Sequence, residues 1–144
     1  MPEPRTLKRA KAKLAAGDSP STAAGEFIRE EMDHIRDGKH GARSTKQAIA
    51  IGLSKARRAG IAVKPGPKAS ARVKQQAKRE LARGTHAPSK TRSRAMAKAL
   101  KREPHAAASH RVLSAHAHQV ARTRGPAARR ASARKAARTR AHHH

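Results

Sequence analysis

Phe27 is the only aromatic residue in a chain of 144 residues, and this scarcity limits the kind of core that the chain can form. Leu, Ile, Val and Phe together supply 16 residues, well under the fifth of a sequence below which a stable core becomes doubtful. A domain of this length would ordinarily bury roughly two thirds of its unfolded surface. We therefore expect an all-α protein, with a small helical hairpin, basic helices in series and a largely disordered or loosely packed tail.

Glycine and proline divide the sequence into segments with helical signals. A first helix is predicted over residues 5–16. Ser19-Pro20 is a favourable N-cap and first-turn pair for a second helix that runs through about Asp37 and ends at Gly38. The third helix is predicted to begin at Ser44, where Gln47 completes a capping box, and to end at Gly60-Ile61, with Ile61 folded back on the last turn.

Charge is distributed unevenly along the chain. The formal net charge is +26, from 35 Lys and Arg against 9 Asp and Glu, yet residues 1–43 carry only +2 of it and residues 44–144 carry +24. A block of like charge of this kind is typical of a segment that is disordered, or helical only when its charge is neutralised. We therefore expect a basic N-terminal segment (residues 1–20), a hairpin module (21–64) and a basic Ala/Arg/Lys-rich tail (65–144), with tail helices near residues 70–83, 89–102, 105–123 and 127–140.

The second and third helices each have one apolar face. The Gly38–Ser44 connection between them is short enough for antiparallel neighbours, and Gly52 is small enough to let α-helical backbones or Phe27 approach closely. We predict a helical hairpin that could also support self-association, since it spans only about 40 residues. Its expected core consists of Phe27, Ile28, Met32, Ile35, Ile49, Leu53 and Ala56.

The opposite face of the second helix is acidic. Glu26, Glu30, Asp33 and Asp37 follow one another at helical spacing and form what we call the acidic stripe. Like charges at this spacing destabilise an isolated helix. One hypothesis is that the stripe docks a basic segment of the same or a neighbouring molecule, for which nucleic acid competes; the alternative is an ordinary solvated helix face.

A short motif in the third helix is similar to one from an uncharacterised family of small basic bacterial proteins. The core of that family reads Ser-Arg-Lys-Gln-Ala-Ile-Ala-Ile followed by Leu-Ser-x-Ala-Arg, and here residues 44–51 read STKQAIAI and residues 53–57 read LSKAR. Thr45 replaces the usual Arg, and Lys55 stands where an acidic residue is common. The resemblance covers roughly residues 26–60 and implies no known activity. The tail resembles bacterial linker-histone-like proteins in composition.

The positive block predicts a polyanionic partner. Neutralising phosphates with Lys and Arg releases condensed counterions, a driving force that does not depend on base sequence. Duplex DNA is favoured over single strands or RNA, because readers of unpaired bases stack them on aromatic side chains. The candidate phosphate-binding residues are Lys46, Lys55, Arg57, Arg58, Lys64, Lys68, Arg72, Lys74, Lys78, Arg79, Arg83, Arg92, Arg94, Lys98, Lys101, Arg102, Arg122, Arg124, Arg129, Arg130, Arg134, Lys135, Arg138 and Arg140.

The leading interpretation is a non-sequence-specific, histone-like and nucleoid-associated DNA-binding protein of the cytoplasm. An RNA- or ribosome-associated basic protein is the alternative, and a protein-interaction module with a polyanion-binding tail is a third. An enzyme is not expected, since the sequence has no phosphate-binding glycine loop or nucleophile elbow. No cofactor, small-molecule substrate or membrane partner is indicated.

Histidines are numerous, but the sequence does not predict a metal site among them. His116 and His118 would point about 200° apart on a helix and could not share an ion. The terminal His142–His144 run could chelate weakly, and it is also typical of an added tag. Cysteine is absent from the sequence, which removes thiolate ligands and disulfides.

Overall fold

The structure, a computed structural model, describes residues 2–84 and 89–142, and the regular elements of this part of the chain are all helical. This confirms the all-α prediction. The predicted break at Pro88 and the residues His143 and His144 lie outside the described ranges. The helices are α1 (Pro4–Ala15), α2 (Pro20–Arg36), α3 (Thr45–Arg58), α4 (Ala71–Arg83), α5 (Lys90–Lys101) and α6 (His110–His142), with a 3-10 turn at Ala106–Ala108.

The predicted tail helices are present as α4, α5 and α6, which account for most of the chain after residue 70, and the alternative of a largely disordered tail is wrong for the described residues. Ala, Arg, Lys, Gln and Leu, which dominate these segments, are strong helix formers. Composition predicted the lack of a large core correctly but overstated disorder in the tail. The chain divides into two compact units, residues 1–109 and 110–144.

The predicted N-caps are present in α2 and α3. The Ser19 hydroxyl accepts a hydrogen bond from the Thr22 N–H at 3.3 Å, and the Ser44 hydroxyl accepts one from the Gln47 N–H at 3.1 Å. The Gln47 side-chain oxygen accepts from the N–H of Arg43 at 2.7 Å, one residue before the position that a standard capping box uses. Both helices therefore begin where the sequence signals place them.

The core of the first unit is built where α1, α2 and α3 meet. Phe27 is completely buried there, among Ala10, Ala23, Ala24 and Ala56. Small alanine side chains let the helices approach the single aromatic ring, so that a modest number of apolar residues can still close a core. The segment after α3 completes it with Ile61 and Val63, which are 3% and 5% exposed.

Ile61 reaches the core through the turn that ends α3. Gly60 has a positive φ of 92°, a conformation that glycine adopts without steric cost. The Ile61 N–H then donates to the Ala56 carbonyl at 3.0 Å, as in a Schellman motif. The predicted fold-back of Ile61 is confirmed by this bond and by its burial.

The expected hairpin core occupies the α2–α3 interface and its surroundings. Phe27, Ile35, Ala56 and Met32 are buried, whereas Ile28, Ile49 and Leu53 are half-buried. A Cβ on Gly52 would lie 2.8 Å from the Ile28 Cα. Gly52 therefore permits the close approach that the sequence predicts, with Ile28 rather than Phe27 as the neighbour.

A distant segment covers the turn between α2 and α3. The Gly41 N–H donates to the Leu100 carbonyl at 2.8 Å, and the Ala42 N–H donates to the Pro104 carbonyl at 3.0 Å. Nearby, the Thr45 hydroxyl donates to the Ala107 carbonyl at 2.7 Å. Residues 100–108 thus belong to the first unit and close over the hairpin turn.

The described part of the second unit consists of α6. Gly125, with φ 78° and ψ 170°, interrupts the helix just before Pro126. The predicted Gly-Pro break is therefore present as a sharp bend between two helical arms. None of the described residues of α6 is buried.

Candidate nucleic-acid interface

Helix α4 is held against α3 by a buried ion pair. Arg57 and Glu80 are 5% and 6% exposed, and the guanidinium Nη1 lies 3.2 Å from the Glu80 Oε2. Ser54 donates to the other carboxylate oxygen at 2.7 Å, as does Gln76 at 3.0 Å. The Arg57 Nε donates to the carbonyl of Val63 at 2.9 Å, so that a single side chain joins α3, α4 and the segment between them.

This network also controls the ionisation of Glu80. Burial by itself would raise the pKa of the Glu80 carboxyl, but hydrogen bonds from Ser54, Gln76 and Arg57, together with the positive charge of Arg57, bring the pKa below its usual value. The side chain is therefore ionised at neutral pH. Glu80 thus anchors α4, and the charge of Arg57 offsets its negative charge.

Anchoring one side of α4 orients its basic side chains outward. Ala77 and Glu80 are buried, while the basic residues of the helix are exposed. At 100° per residue, Arg72, Arg79 and Arg83 lie within about 40° of one another on the exposed surface. These three residues are called the α4 arginine row below.

The other predicted phosphate-binding residues are, with few exceptions, also exposed. On α6, Arg130, Arg134 and Arg138 repeat every four residues and so share one side of its second arm. No carboxylate side chain follows Glu103 in the sequence. The exposed candidates are Lys46, Lys64, Lys68, Arg72, Lys74, Lys78, Arg79, Arg83, Arg92, Arg94, Lys98, Lys101, Arg102, Arg122, Arg124, Arg129, Arg130, Arg134, Lys135, Arg138 and Arg140.

Two of the predicted phosphate-binding residues have partners within the protein. Arg57 is buried and paired with Glu80, and the half-buried Lys55 pairs with the buried carboxylate of Glu31. Arg58, also half-buried, has its Nε 3.4 Å from the Ser54 carbonyl. Helix α3 therefore uses its C-terminal cations mainly for internal contacts, which its sequence alone did not indicate.

The acidic stripe is partly covered by the protein itself. Glu26 is 8% exposed, and the Lys13 ammonium of α1 lies 2.8 Å from its Oε1. The hydrogen bond from Lys13 lowers the pKa of the Glu26 carboxyl. Glu30 is also buried, whereas Asp33 and Asp37 are exposed. The basic helix α1 thus occupies one end of the stripe and leaves the other end accessible.

Sequence reasoning missed Glu31, which is only 1% exposed. It contacts Lys55 of α3 and lies 3.3 Å from the Nε2 of His40. On a helical projection Glu31 falls between Phe27 and Ile35, inside the apolar face of α2. This position in the apolar face was the signal in the sequence that the charge of Glu31 must be paired within the fold.

Residues 12–68 match the model of a family of unknown function, DUF6496. The match spans the part of the chain from the last turn of α1 to the segment after α3, and it includes the residues that carry the resemblance described above. No curated protein and no solved structure gives a significant match. Among the described residues, no helix is both long and apolar enough to span a membrane.

Proposed function

We propose that this protein binds duplex DNA without sequence preference, as a histone-like, nucleoid-associated protein. The observation that carries the proposal is the separation of the two signs of charge. The cations of α4, α5 and α6 are exposed, while Glu26, Glu30, Glu31 and Glu80 are buried within the first unit. An approaching phosphate backbone would therefore meet a surface in which most of the remaining charge is positive.

Counterion release sets the size of the effect. If eight of the exposed cations contact phosphates at once, log K should fall with log salt at a slope of about −7 on duplex DNA. Helix α6 provides a further contribution to the free energy of DNA binding, because its closely spaced arginines repel one another in the free protein. Phosphate contacts would relieve that repulsion and stabilise the helix.

The position of Phe27 favours a duplex over unpaired bases. This ring is fully buried in the core, and the sequence contains no other aromatic side chain. Proteins that bind single strands commonly stack bases on exposed aromatic rings. Arginine, in contrast, binds phosphate in a bidentate manner and enters narrow minor grooves.

Two finer relationships belong to the same proposal. We infer that STKQAIAI at the start of α3 corresponds to the Ser-Arg-Lys-Gln-Ala-Ile-Ala-Ile core of a family of small basic bacterial proteins, with Thr45 in place of the usual Arg. The resemblance extends over roughly residues 26–60. The Ala-, Arg- and Lys-rich composition after residue 64 supports a linker-histone-like mode of coating DNA. In this arrangement the hairpin is a scaffold and the later helices make the phosphate contacts.

The test measures binding of the full chain to a short labelled DNA duplex over a range of salt concentrations. Replacing the α4 arginine row by glutamine (R72Q, R79Q and R83Q) should weaken binding and reduce the salt slope by about 2.7, the value for three lost phosphate contacts. The matched control, R5Q with K8Q and K11Q, removes the same charge from exposed positions of α1 and should change the slope much less.

Competition identifies the nucleic acid. Unlabelled duplex DNA should displace the probe more effectively than structured RNA or anionic lipid vesicles at the same phosphate concentration. Stronger displacement of the probe by structured RNA would contradict the proposal and favour the RNA-associated alternative. A salt slope near zero for the unmodified protein would contradict phosphate binding. It would favour the protein-interaction alternative.

The acidic stripe provides a second test of charge separation. Asp33 and Asp37 are exposed, so D33N with D37N should leave the core intact and tighten DNA binding at fixed salt. D18N, an exposed acid outside the stripe, controls for the change in net charge. Equal effects per charge in the two variants would contradict a specific role for the stripe.

A further inference from the structure

A cluster of metal-ligating side chains lies where α2 turns toward α3. Glu31, His34 and His40 each offer one ligand atom, and these atoms lie within 4.8 Å of one another. Glu31 and His34 are three residues apart and so share a face of α2. Gly38, with a positive φ of 75°, reverses the chain after the helix and brings His40 back beside them.

Burial distinguishes this cluster from surface carboxylates and histidines. The Glu31 side chain is 1% exposed, and those of His34 and His40 are 15% and 14% exposed. The rings of the two histidines meet edge to face with their centres 5.9 Å apart. The fold thus brings one ligand atom from each of three mostly buried side chains close together, while the His34 Nε2 also lies 3.0 Å from the Glu3 carboxylate.

The hydrogen bonding of His40 leaves one ring nitrogen facing a carboxylate. Its Nδ1 lies 2.9 Å from the Gly41 carbonyl oxygen, which can only accept, so Nδ1 carries a proton. The other ring nitrogen, Nε2, lies 3.3 Å from the Glu31 Oε2 and is the nitrogen left to bind an ion between these two atoms.

The spacing of two of the three ligand atoms fits a bound ion. Two ligands that each lie about 2.0–2.1 Å from a tetrahedral Zn²⁺ are separated by about 3.3–3.4 Å from one another, close to the distance between His40 Nε2 and Glu31 Oε2. A histidine whose other ring nitrogen donates to a backbone carbonyl is the common arrangement around protein-bound metals. The His40–Gly41 hydrogen bond supplies that second partner.

An unpartnered buried carboxylate oxygen lies beside the cluster. Glu30 is 5% exposed, and its Oε2 has no hydrogen-bond partner in the described part of the chain. Ligand atoms of Glu30, Glu3 and His34 also lie within 4.8 Å of one another, so the two groups share His34. A buried carboxylate oxygen without a partner is a second, independent feature that favours a cation at this place.

The local charge also favours a cation. The carboxylates of Glu3, Glu30 and Glu31 face two ammonium groups, since Lys55 contacts Glu31 and the Lys39 Nζ lies 3.6 Å from Glu3. Among these groups the carboxylates outnumber the ammonium groups by one, although the protein as a whole is strongly basic.

We propose that Glu31, His34 and His40 bind a divalent transition-metal ion, with Glu30 and Glu3 supporting the site. Two imidazoles and one carboxylate suit Zn²⁺ and its neighbours better than Mg²⁺ or Ca²⁺, which prefer oxygen ligands. The bound ion would join the end of α2 to the turn that leads into α3. This proposal is independent of DNA binding and concerns the scaffold.

The test titrates Zn²⁺ into the full chain carrying H142A, H143A and H144A, which removes chelation by the terminal histidines. Calorimetry should show one saturable site, and Co²⁺ used as a spectroscopic substitute should give absorption bands of a four- or five-coordinate ion. Thermal unfolding should shift to higher temperature with Zn²⁺. Absence of a saturable site in this protein would overturn the proposal.

Single substitutions then locate the site. H34Q and H40Q should each weaken Zn²⁺ binding at least about tenfold, while H40C, which restores a zinc ligand, should recover part of the affinity. H116Q on α6 is the matched control and should bind as the parent does. Circular dichroism verifies that each variant keeps its helix content. Unchanged affinity in H34Q and H40Q would assign the binding to other residues and refute the site.

Discussion

Replacing Arg57 by methionine tests whether the buried ion pair holds α4 to α3. Methionine keeps most of the buried apolar stem but loses the hydrogen bond to Val63 and the ion pair with Glu80. Hydrogen bonds of charged groups contribute about 1.5–3 kcal/mol each, and removing one partner of a buried pair costs about 3–5 kcal/mol. Because Ser54 and Gln76 still donate to Glu80, we expect R57M to lower the free energy of unfolding by about 3 kcal/mol.

Calorimetry of the full chain measures this loss. For a unit of about one hundred residues, 3 kcal/mol corresponds to a decrease of roughly 12 °C or more in the unfolding midpoint. R79M is the matched control, since Arg79 is an exposed arginine of α4 and its substitution should change stability by less than about 0.5 kcal/mol. The double variant R57M with E80L, which removes both charges, should be more stable than R57M alone.

The pH dependence provides a second measurement on the same variant. In the parent, the folded-state pKa of Glu80 is lowered, so its stabilising contribution is present above the unfolded-state pKa and is lost as the pH falls through the folded-state value. Without Arg57, Glu80 takes up a proton at a higher pH. The stability difference between R57M and the parent should therefore narrow as the pH decreases. A loss below about 1 kcal/mol at neutral pH, or no benefit from the double variant, would refute the reasoning.

Two further substitutions test the first unit. G41A should destabilise the cover over the hairpin turn by about 1–3 kcal/mol, because its Cβ would lie 1.9 Å from the Glu103 carbonyl oxygen; hydrogen exchange over residues 90–108 measures the loss, and unchanged protection there would contradict it. E26Q should cost less than about 1 kcal/mol at neutral pH, since Lys13 is partly exposed. Its effect should disappear in acid, because the lowered pKa of Glu26 means that its contribution is lost as the pH falls through the folded-state value; a pH-independent effect in urea titrations would contradict this.

Local signals in the sequence predicted the helices and their ends well. Ser19, Ser44 and Gly60 have strong conformational preferences that depend on neighbours within a few residues, and the structure places them where those preferences indicate. Contacts between residues far apart in the chain were harder to predict from the sequence. The pairing of Arg57 with Glu80 spans 23 residues, and nothing in the local pattern of either helix specifies that these two charges meet.

The two candidate sites differ in the same way in how well the sequence predicts them. Exposure of the α4 and α6 arginines follows from helical periodicity and the lack of apolar partners, so composition was sufficient to select them. The metal-ligand cluster depends on the turn at Gly38, which brings His40 back beside Glu31 and His34. A search of the sequence for neighbouring histidines finds His116 and His118 instead. Such a search does not detect residues that come together only because the chain reverses its direction.

The cover over the hairpin turn has a consequence for the order of events during synthesis. Gly41 and Ala42 bond to carbonyls of Leu100 and Pro104, about 60 residues later in the chain. At roughly 5–20 residues per second, a ribosome needs about 3–12 seconds to supply that segment after the turn has been made. During this interval the basic helix α4 emerges while the turn still lacks its cover, so the nascent chain carries its cations before its first unit can close. If the protein binds polyanions as proposed, those near the ribosome would meet a partly folded chain. The packing of residues 100–108 on the turn would then follow that binding or compete with it.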